Sequence, residues 1–292
     1  MKLNKDTKIL IVGLGVIGGG YAAALTEAGY TVKCITLSQS DIDYALKEKI
    51  IAYGTTEATH EIINEADLII CALYPGVFVE WVKEHQHSIK PGALLTDVTG
   101  VKTAIVEKVQ SILGDNVEFI AAHPMAGRER SGVEYSDPSV FKGANYIVTP
   151  TEKNTKEAID LCCELGNILG FSRISVISTE EHDEMIAFLS QLTHVIAVAL
   201  MNCNNTEGLE KYTGDSFRDL TRIAKINDKM WSELFLLNRK ALLSEIDSFI
   251  TEMQQFRKML TDGDTEGMRE KMRHSTERRS LFDKPAKQDG IV

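Results

Sequence analysis

The chain lacks the features that mark secreted, membrane-embedded and nucleic-acid-binding proteins. Its five cysteines form no CxxC pair and no metal-type spacing, so we expect reduced thiols and no bound metal. Acidic residues outnumber basic ones by 42 to 32, which disfavours binding to nucleic acid or to an anionic membrane. We see neither a cleavable leader nor an apolar run near the ~20 residues that span a bilayer. We therefore expect a cytoplasmic protein.

Proline is absent from 151 through 284, and no convincing strand follows Ser178. Before that point, short β-branched runs alternate with amphipathic segments. The strand candidates are 8–13, 31–36, 68–73, 94–99, 118–123, 145–150 and 173–178, and the helical segments between them are 16–29, 41–51, 76–88, 101–113 and 153–169. This alternation predicts a parallel sheet covered by helices on both faces.

A glycine-rich turn follows the first predicted strand. It reads Gly13-Leu14-Gly15-Val16-Ile17-Gly18 and leads into a helix. The first glycine permits a tight turn, the second lets backbone approach a pyrophosphate, and the third allows close packing of helix on strand. The motif predicts that Gly13, Gly15, Val16, Ile17 and Gly18 bind a dinucleotide.

These signals together predict an α/β protein of two domains. Residues 1–178 form a Rossmann-type dinucleotide-binding domain, and residues 179–292 form an all-helical domain for substrate binding and dimerisation. Within the second domain, the apolar periodicity predicts helices over 180–205, 227–262 and 264–281. The homodimer is expected by analogy with that architecture.

The second strand ends without the acidic residue that usually binds the ribose 2′-hydroxyl of NAD. The chain has Thr36 there, followed by Leu37 and Ser38, and the first acid is Asp41. An acid would repel a 2′-phosphate, so its absence permits NADP, and the hydroxyls of Thr36 and Ser38 are candidate phosphate ligands. We expect NAD(P)+ as cofactor, with NADP+ used at least as readily as NAD+.

A histidine stands at the end of the fifth predicted strand, in the decapeptide HPMAGRERSG that runs from His123 to Gly132. The carboxyl edge of such a sheet is where a substrate meets a nicotinamide. A neutral imidazole there can take a hydroxyl proton as a hydride departs. His123 is therefore the candidate base.

The decapeptide resembles the prephenate/arogenate dehydrogenase family, and four further motifs extend the resemblance over nearly the whole chain. They are DVTGVK (97–102), EHD (181–183), SQLTH (190–194) and FRDLTRIA (217–224). The resemblance implies oxidative decarboxylation of prephenate to 4-hydroxyphenylpyruvate with NAD(P)+, in tyrosine biosynthesis. Some members also have a regulatory or a chorismate mutase domain, and because we see no segment for either here, we expect a single-function form.

The resemblance assigns further residues to the site. Catalysis is expected to involve His123, His194 and Thr99, and Asp97 is expected at the cofactor. The substrate is expected to meet Arg222, Arg130, Arg128 and Ser131, with Arg222 on one carboxylate and Arg128 and Arg130 on either the second carboxylate or the cofactor phosphate. Other interpretations stay open: His194 as a core residue, Arg222 as a surface residue paired with Asp219, and the loop arginines as solvent-exposed side chains. His182 and Asp183 fit the ordinary architecture of a helix start.

One position departs from the family pattern. Many members have Gly-Ser where this chain has Thr99-Gly100, and that serine helps to hold the reacting hydroxyl and the catalytic histidine. Gly100 has no hydroxyl, and Thr99 stands one residue early as a substitute.

Three other functions remain as alternatives. Arogenate is the first, since it differs from prephenate only in its side chain. A β-hydroxyacid dehydrogenase or imine reductase is the second, although the first of these needs a lysine in the long helix and 180–205 contains none. A protein that binds the nucleotide without turnover is the third.

Overall fold

A computed structural model describes residues 2–127, 130 and 132–283. Its centre is one eight-stranded sheet with the order β3-β2-β1-β4-β5-β6-β7-β8. The strands are β1 (Ile9–Val12), β2 (Val32–Ile35), β3 (Tyr53–Thr55), β4 (Leu68–Cys71), β5 (Leu94–Asp97), β6 (Glu118–Pro124), β7 (Asn145–Thr149) and β8 (Arg173–Val176). The expected α/β class is confirmed, and all seven predicted strands are present. The short β3 was missed because its sequence, Tyr-Gly-Thr, is neither apolar nor alternating.

The first six strands are parallel and in close register. Val12 pairs with both Ile35 and Cys71, and Cys71 pairs with Asp97. The carboxyl ends of β1, β4 and β5 therefore lie at one edge of the sheet. The end of β6, which holds His123, adjoins them there, because Thr96 pairs with Ile120.

The expectation of an all-parallel sheet was wrong at one point. β7 runs antiparallel to β6, with His123 opposite Ile147, while β8 is parallel to β7. A parallel connection needs a crossover helix over one face. The linker 125–144 has only short 3₁₀ turns in its described part, at Val133–Tyr135 and Pro138–Phe141. The chain therefore re-enters the sheet from the carboxyl edge.

Helices cover both faces of the sheet. They are α1 (Val16–Glu27), α2 (Gln39–Lys47), α3 (His60–Glu65), α4 (Pro75–His85), α5 (Thr103–Ile112) and α6 (Lys156–Ile168). Alternate strand residues point to opposite sides, so Ile11 packs in one apolar core with Tyr21 and Leu165. Leu10 packs in the other with Phe78 and Val109. These two layers build the doubly covered sheet.

Only helices and short turns follow β8 in the described chain. They are α7 (Thr179–Ile186), a π-helical segment (Ala187–Leu192), α8 (Thr193–Asn202), α9 (Asp215–Thr221), α10 (Asp228–Leu237), α11 (Arg239–Asp262) and α12 (Thr265–Ser280). The helix predicted over 180–205 is thus one continuous run to Asn202. The one predicted over 227–262 is interrupted at Asn238, whose buried side-chain amide donates to the carbonyl oxygen of Asp183 at 2.8 Å.

The chain divides into two compact units, Met1–Leu242 and 243–292. The first contains the sheet and the helices through α10. In the second, the Lys271 ammonium pairs with the Glu252 carboxylate at 2.5 Å. The domain boundary at 178/179, where strands give way to helices, stays a prediction.

One helix corrects the expectation that no segment is long and apolar enough to span a bilayer. The run Thr179–Asn202 has 24 residues with a mean hydropathy of 1.6 over its most apolar window, and 28% of that window is buried within the chain. Length and composition are all that this finding concerns, since soluble proteins also contain such helices.

Candidate active site

The glycine turn after β1 has the geometry of a pyrophosphate cradle. Gly13 has φ +95°, and a Cβ there would lie 2.5 Å from the Ala72 carbonyl oxygen. A Cβ on Gly18 would lie 2.0 Å from the Gly13 carbonyl oxygen, so both positions demand glycine. A Cβ on Gly15 would meet nothing within 4 Å. The backbone at Gly15 therefore faces open space that a ligand can approach closely.

The helix that follows is suited to an anion. No side chain caps the start of α1 at Gly15, and its first turn contains no acidic residue. The amide N–H groups of Val16 and Ile17 belong to this turn, where the helix dipole favours negative charge. The turn and helix start together fit the two phosphates of a dinucleotide.

The tip of β2 presents hydroxyls and no carboxylate. Thr36 is half-buried, and its backbone N–H donates to the Thr55 carbonyl at 3.2 Å. The Ser38 hydroxyl caps α2 by accepting from the Asp41 N–H at 3.2 Å, and it lies 2.9 Å from the Ser40 hydroxyl. Asp41 thus belongs to the first turn of α2 rather than to the strand tip.

His123 is half-buried at the carboxyl end of β6, and a second histidine binds it. Its Nδ1 lies 2.8 Å from Nε2 of His182, which α7 contributes and which is fully buried. The next residue continues the chain of hydrogen bonds, since His182 Nδ1 lies 2.8 Å from Oδ1 of Asp183. The two histidines are 59 residues apart in the sequence, so no local motif predicts this contact.

The Asp183 carboxylate also accepts hydrogen bonds from the backbone at the start of α5. The backbone N–H groups of Lys102 and Thr103 donate to its two oxygens at 2.8 and 2.9 Å. A side chain from α7 thereby caps α5, whose own residue at the cap position provides no such bond. The cap fixes the helical segment against the end of the sheet.

A buried ion pair lies beside these residues. Lys102 Nζ is 2.7 Å from Asp97 Oδ2, and both side chains are completely buried. The other Asp97 oxygen accepts from the Ala122 N–H at 3.1 Å, which ties β5 to β6 next to His123. The Thr99 hydroxyl bonds the Asp97 carboxylate and lies 3.0 Å from the Val101 carbonyl.

Two sequence-predicted roles are weakened by this cluster. Asp97 has no exposed surface to offer a cofactor, because its carboxylate is surrounded by Lys102, Thr99 and backbone. Thr99 is 3% exposed, and the contacts described for its hydroxyl are made inside the cluster rather than with His123. Both side chains bond within the cluster in this structure, and their roles at the cofactor and in catalysis stay predictions.

The protonation of the site follows from its surroundings. Removal from water, with repulsion from the Lys102 ammonium and from any positive charge on His182, holds the pKa of His123 well below its usual value. Burial also lowers the pKa of His182, and the hydrogen bond to Asp183 offsets only part of this effect. His123 is consequently neutral near pH 7 and able to accept a proton.

Asp183 behaves differently from the histidines. Burial by itself raises the pKa of its carboxyl, but hydrogen bonds from His182 and from the backbone of Lys102 and Thr103 outweigh burial. The pKa therefore lies below its usual value, and Asp183 is an anion.

Residue 100 lies against the ring of His123. A Cβ placed on Gly100 would be 3.9 Å from His123 Cε1 and 3.6 Å from Leu234 Cδ2. These are ordinary contact distances, so space exists for a small side chain that this protein does not have. Leu234 comes from α10, which therefore borders the site.

His194 adjoins the same helix. Its ring stacks on Trp231 of α10 with centroids 3.7 Å apart, and its Nδ1 donates to the Ser190 carbonyl at 2.8 Å. Gln191, buried in the π-helical segment, donates to the Leu234 carbonyl at 3.1 Å. π-helical turns are frequent at functional sites because they redirect side chains. Here the hydrogen bond from Gln191 holds α10 in place, with Leu234 next to Gly100.

The predicted arginines lie in two regions. Arg222 is exposed and begins a 3₁₀ turn, Arg222–Ala224, that packs against α8, the helix of His194. Arg130 is exposed with its guanidinium 4.9 Å from the centre of the Tyr135 ring. Arg128 and Ser131 lie outside the described residues.

Sequence reasoning missed Lys102, His182 and Asp183 as members of one cluster with His123. The run Glu181-His182-Asp183 was visible, but polar residues at a helix start have an ordinary capping explanation. Complete burial of Lys102 and His182 would have distinguished the two cases, and burial depends on long-range packing. Among the residues that the structure describes, no group of three or more His, Cys, Asp or Glu is arranged to hold a metal.

Comparison with known proteins identifies sequence families over most of the chain. The nucleotide-binding domain of prephenate dehydrogenase matches residues 21–170, and the dimerization domain of prephenate dehydrogenase matches residues 178–274.

Individual relatives agree with these matches. The prephenate dehydrogenase of Bacillus subtilis is 31% identical, over 92% of this chain and 74% of that protein. The cyclohexadienyl dehydrogenase of Zymomonas mobilis is 28% identical, over 93% and 94%. The crystal structure of Aquifex aeolicus prephenate dehydrogenase with hydroxyphenyl propionate and NAD+ superposes with a TM-score of 0.87 at 29% identity, covering 97% of this chain and all of that one.

Proposed function

The chain belongs to the prephenate dehydrogenase family of NAD-dependent oxidoreductases, and on that premise we propose that it converts prephenate to 4-hydroxyphenylpyruvate in tyrosine biosynthesis. The observation that carries the proposal is a neutral His123 at the carboxyl edge of the sheet, on the same edge as an open glycine cradle. The resemblance inferred from the five motifs is confirmed by the family matches.

His123 is the proposed base. A bound nicotinamide supplies the acceptor for the hydride that leaves the ring carbon. His123 takes the proton of the hydroxyl on that carbon, because its lowered pKa keeps it neutral and its ring lies at the sheet edge. Loss of carbon dioxide then leaves an aromatic ring, which makes the conversion strongly downhill.

The anionic substrate requires cations in a protein of net charge −10. Arg222 is the proposed ligand of one carboxylate, since it lies beside α8 and a guanidinium binds carboxylates with two parallel bonds. His194 is proposed to face the substrate from α8. Arg130, with the undescribed Arg128 and Ser131, is proposed to serve the second carboxylate.

NAD+ fits the cradle formed by Gly13, Gly15 and Gly18, and the Aquifex relative supports it through its NAD+ complex. The finer proposal is that NADP+ is used at least as readily. Its support is the tip of β2, where Thr36 and Ser38 take the place of an acid that would repel a 2′-phosphate.

We also propose a homodimer formed through the helical part. The matched C-terminal family is described as a dimerization domain. In the single chain, large apolar side chains stand exposed along Thr179–Asn202, namely Met185, Phe188, Leu189 and Met201. A second copy would cover them, which also explains an apolar helix in a protein that we place in the cytoplasm.

The test is an assay of the purified protein for NAD(P)H formation with prephenate and arogenate, each against NAD+ and NADP+. We expect turnover of prephenate, with NADP+ at least as effective as NAD+. A strong preference for NAD+ would remove the cofactor proposal alone. Turnover of arogenate and not of prephenate would exchange the substrate, and no turnover of either would overturn the function.

A further inference from the structure

Three side chains form a line of hydrogen bonds that ends at the proposed base. His123 Nδ1 lies 2.8 Å from His182 Nε2, and His182 Nδ1 lies 2.8 Å from Asp183 Oδ1. His182 is completely buried and Asp183 is 6% exposed. Water therefore has little access to these bonds, and each proton in them must belong to one of the three groups.

The direction of each bond follows from the carboxylate. Both Asp183 oxygens accept backbone N–H groups at the start of α5, and an ionised carboxylate can only accept. His182 Nδ1 must therefore hold a hydrogen and donate it to Asp183. His182 is completely buried, and burial lowers its pKa despite the hydrogen bond to Asp183, so it is neutral and its Nε2 has a free electron pair. That pair can accept only a hydrogen on His123 Nδ1.

We infer that His182 and Asp183 are positioning residues that hold His123 in one tautomer, with the hydrogen on Nδ1 and the electron pair on Nε2. The inference rests on the proposed function, in which His123 takes the hydroxyl proton. Nε2 is then the atom that accepts it. Once His123 is protonated, the Asp183 anion stabilises the new charge across His182, as a buried carboxylate does behind other catalytic histidines.

The surroundings of His123 explain why this device is needed. Gly100, the residue whose Cβ would lie 3.9 Å from His123 Cε1, has no side chain to bond the ring. The Thr99 hydroxyl is engaged by the Asp97 carboxylate. Within the described residues, the side chain of His123 is hydrogen-bonded to His182. Orientation of the ring therefore depends on α7.

A purely structural role for Asp183 is the competing explanation, because its carboxylate also caps α5. Two variants separate the roles. Asp183→Asn leaves one oxygen, which can still accept the Thr103 N–H at the start of α5. An amide N–H at the Oδ1 position faces His182 and reverses both hydrogen bonds of the line, and the Lys102 N–H loses its acceptor. Glu181→Gln makes the same chemical change two residues earlier, in the capping box of α7 with Ser178, and does not touch the histidines.

The experiment measures the tautomer of His123 by ¹⁵N NMR on protein labelled at its seven histidines, with His123→Asn used to assign the signal. We expect the Nδ1–H tautomer in the wild type and in Glu181→Gln, and the Nε2–H tautomer in Asp183→Asn. We further expect kcat of Asp183→Asn to fall by about 10²- to 10⁴-fold. KM should stay within about threefold, because the bond orients a base and does not bind substrate.

Two results would overturn the inference. One is an Nε2–H tautomer in the wild type, which needs no variant to fold. The other is a kcat for Asp183→Asn that falls no further than that of Glu181→Gln. Absence of turnover in the wild type would instead remove the proposed function, while the tautomer measurement would still decide the hydrogen bonds.

Discussion

The glycine turn after β1 and the polar cluster behind His123 lie at the same edge of the sheet but are built in opposite ways. The turn is contained in six consecutive residues, and its shape follows from local rules such as the positive φ of Gly13. The cluster combines Asp97, Lys102, His123, His182 and Asp183, which come from β5, the residue before α5, β6 and α7. Its properties arise from burial and long-range pairing. The glycine turn can therefore be predicted from a local sequence motif, whereas the surroundings of His123 cannot.

The largest effect is expected where the cluster loses its buried cation. Lys102→Met leaves the Asp97 carboxylate buried without its ion pair, and breaking such a pair costs about 3–5 kcal/mol. Urea denaturation should show this loss in the free energy of unfolding. The matched surface change Lys156→Met, which removes an exposed pair with Asp160, should cost less than about 1 kcal/mol. Equal losses would mean that the cluster does not contribute to stability as a unit.

Arg222→Ala tests whether the substrate site around His123 includes residues of the helical part of the chain. We expect KM for prephenate to rise about 10- to 100-fold, because a charge-assisted hydrogen bond contributes about 1.5–3 kcal/mol. Arg218→Ala is the control, since Arg218 is an exposed residue of α9 paired with Asp215 at 2.5 Å. Steady-state kinetics with both variants decide the matter. An unchanged KM and kcat in Arg222→Ala would mean that Arg222 is a surface residue that does not bind the substrate.

Gly15→Ala tests the glycine turn after β1 without changing the polar cluster. The new methyl group meets no protein atom within 4 Å, and φ −98° is accessible to alanine. We expect unfolding stability to be unchanged or to rise by about 0.4–1 kcal/mol, while the Kd for NAD+ rises about tenfold because the methyl enters the cradle. Calorimetry of binding and of unfolding measures both. Unaltered affinity would show that the cofactor backbone lies elsewhere.

The smallest effect concerns pH. Only neutral His123 can act as a base, so activity is lost as pH falls through its pKa, which lies well below the usual value of 6.5. Between pH 8 and 6.5, the titration of His123 should therefore change kcat by less than about twofold. A kcat profile recorded over pH 5–8 checks this. An inflection near 6.5 in the wild type would mean that the surroundings of His123 do not lower its pKa.

The sequence predicted most of the fold because its strands are short, apolar and separated by amphipathic helices. It failed where long-range packing decides the outcome. The antiparallel β7 follows from a linker without a crossover helix, a signal that was present between 125 and 144. The break at Asn238 was not visible, because it depends on a hydrogen bond to the Asp183 carbonyl in another helix.

The candidate site shows the same difference between features set by local sequence and features set by long-range packing. Gly13, Gly15, Gly18 and His123 were predicted as site residues from local patterns, and the structure brings them to one edge of the sheet. Asp97 was expected at the cofactor but is wholly buried against Lys102, because alternation along β5 does not reveal which polar side chain turns inward. The pairing of His123 with His182 joins residues 59 positions apart, beyond the reach of any spacing rule.

The most direct test of the account is the single-turnover rate of NADH formation by His123→Asn, with saturating prephenate and NAD+. Asparagine can occupy the site but cannot take the hydroxyl proton, so we expect a rate about 10²- to 10⁴-fold below that of the wild type. Affinity for NAD+ should be retained, since the cradle at Gly13–Gly18 is unaltered. A rate near that of the wild type would contradict the assignment of His123 as the base.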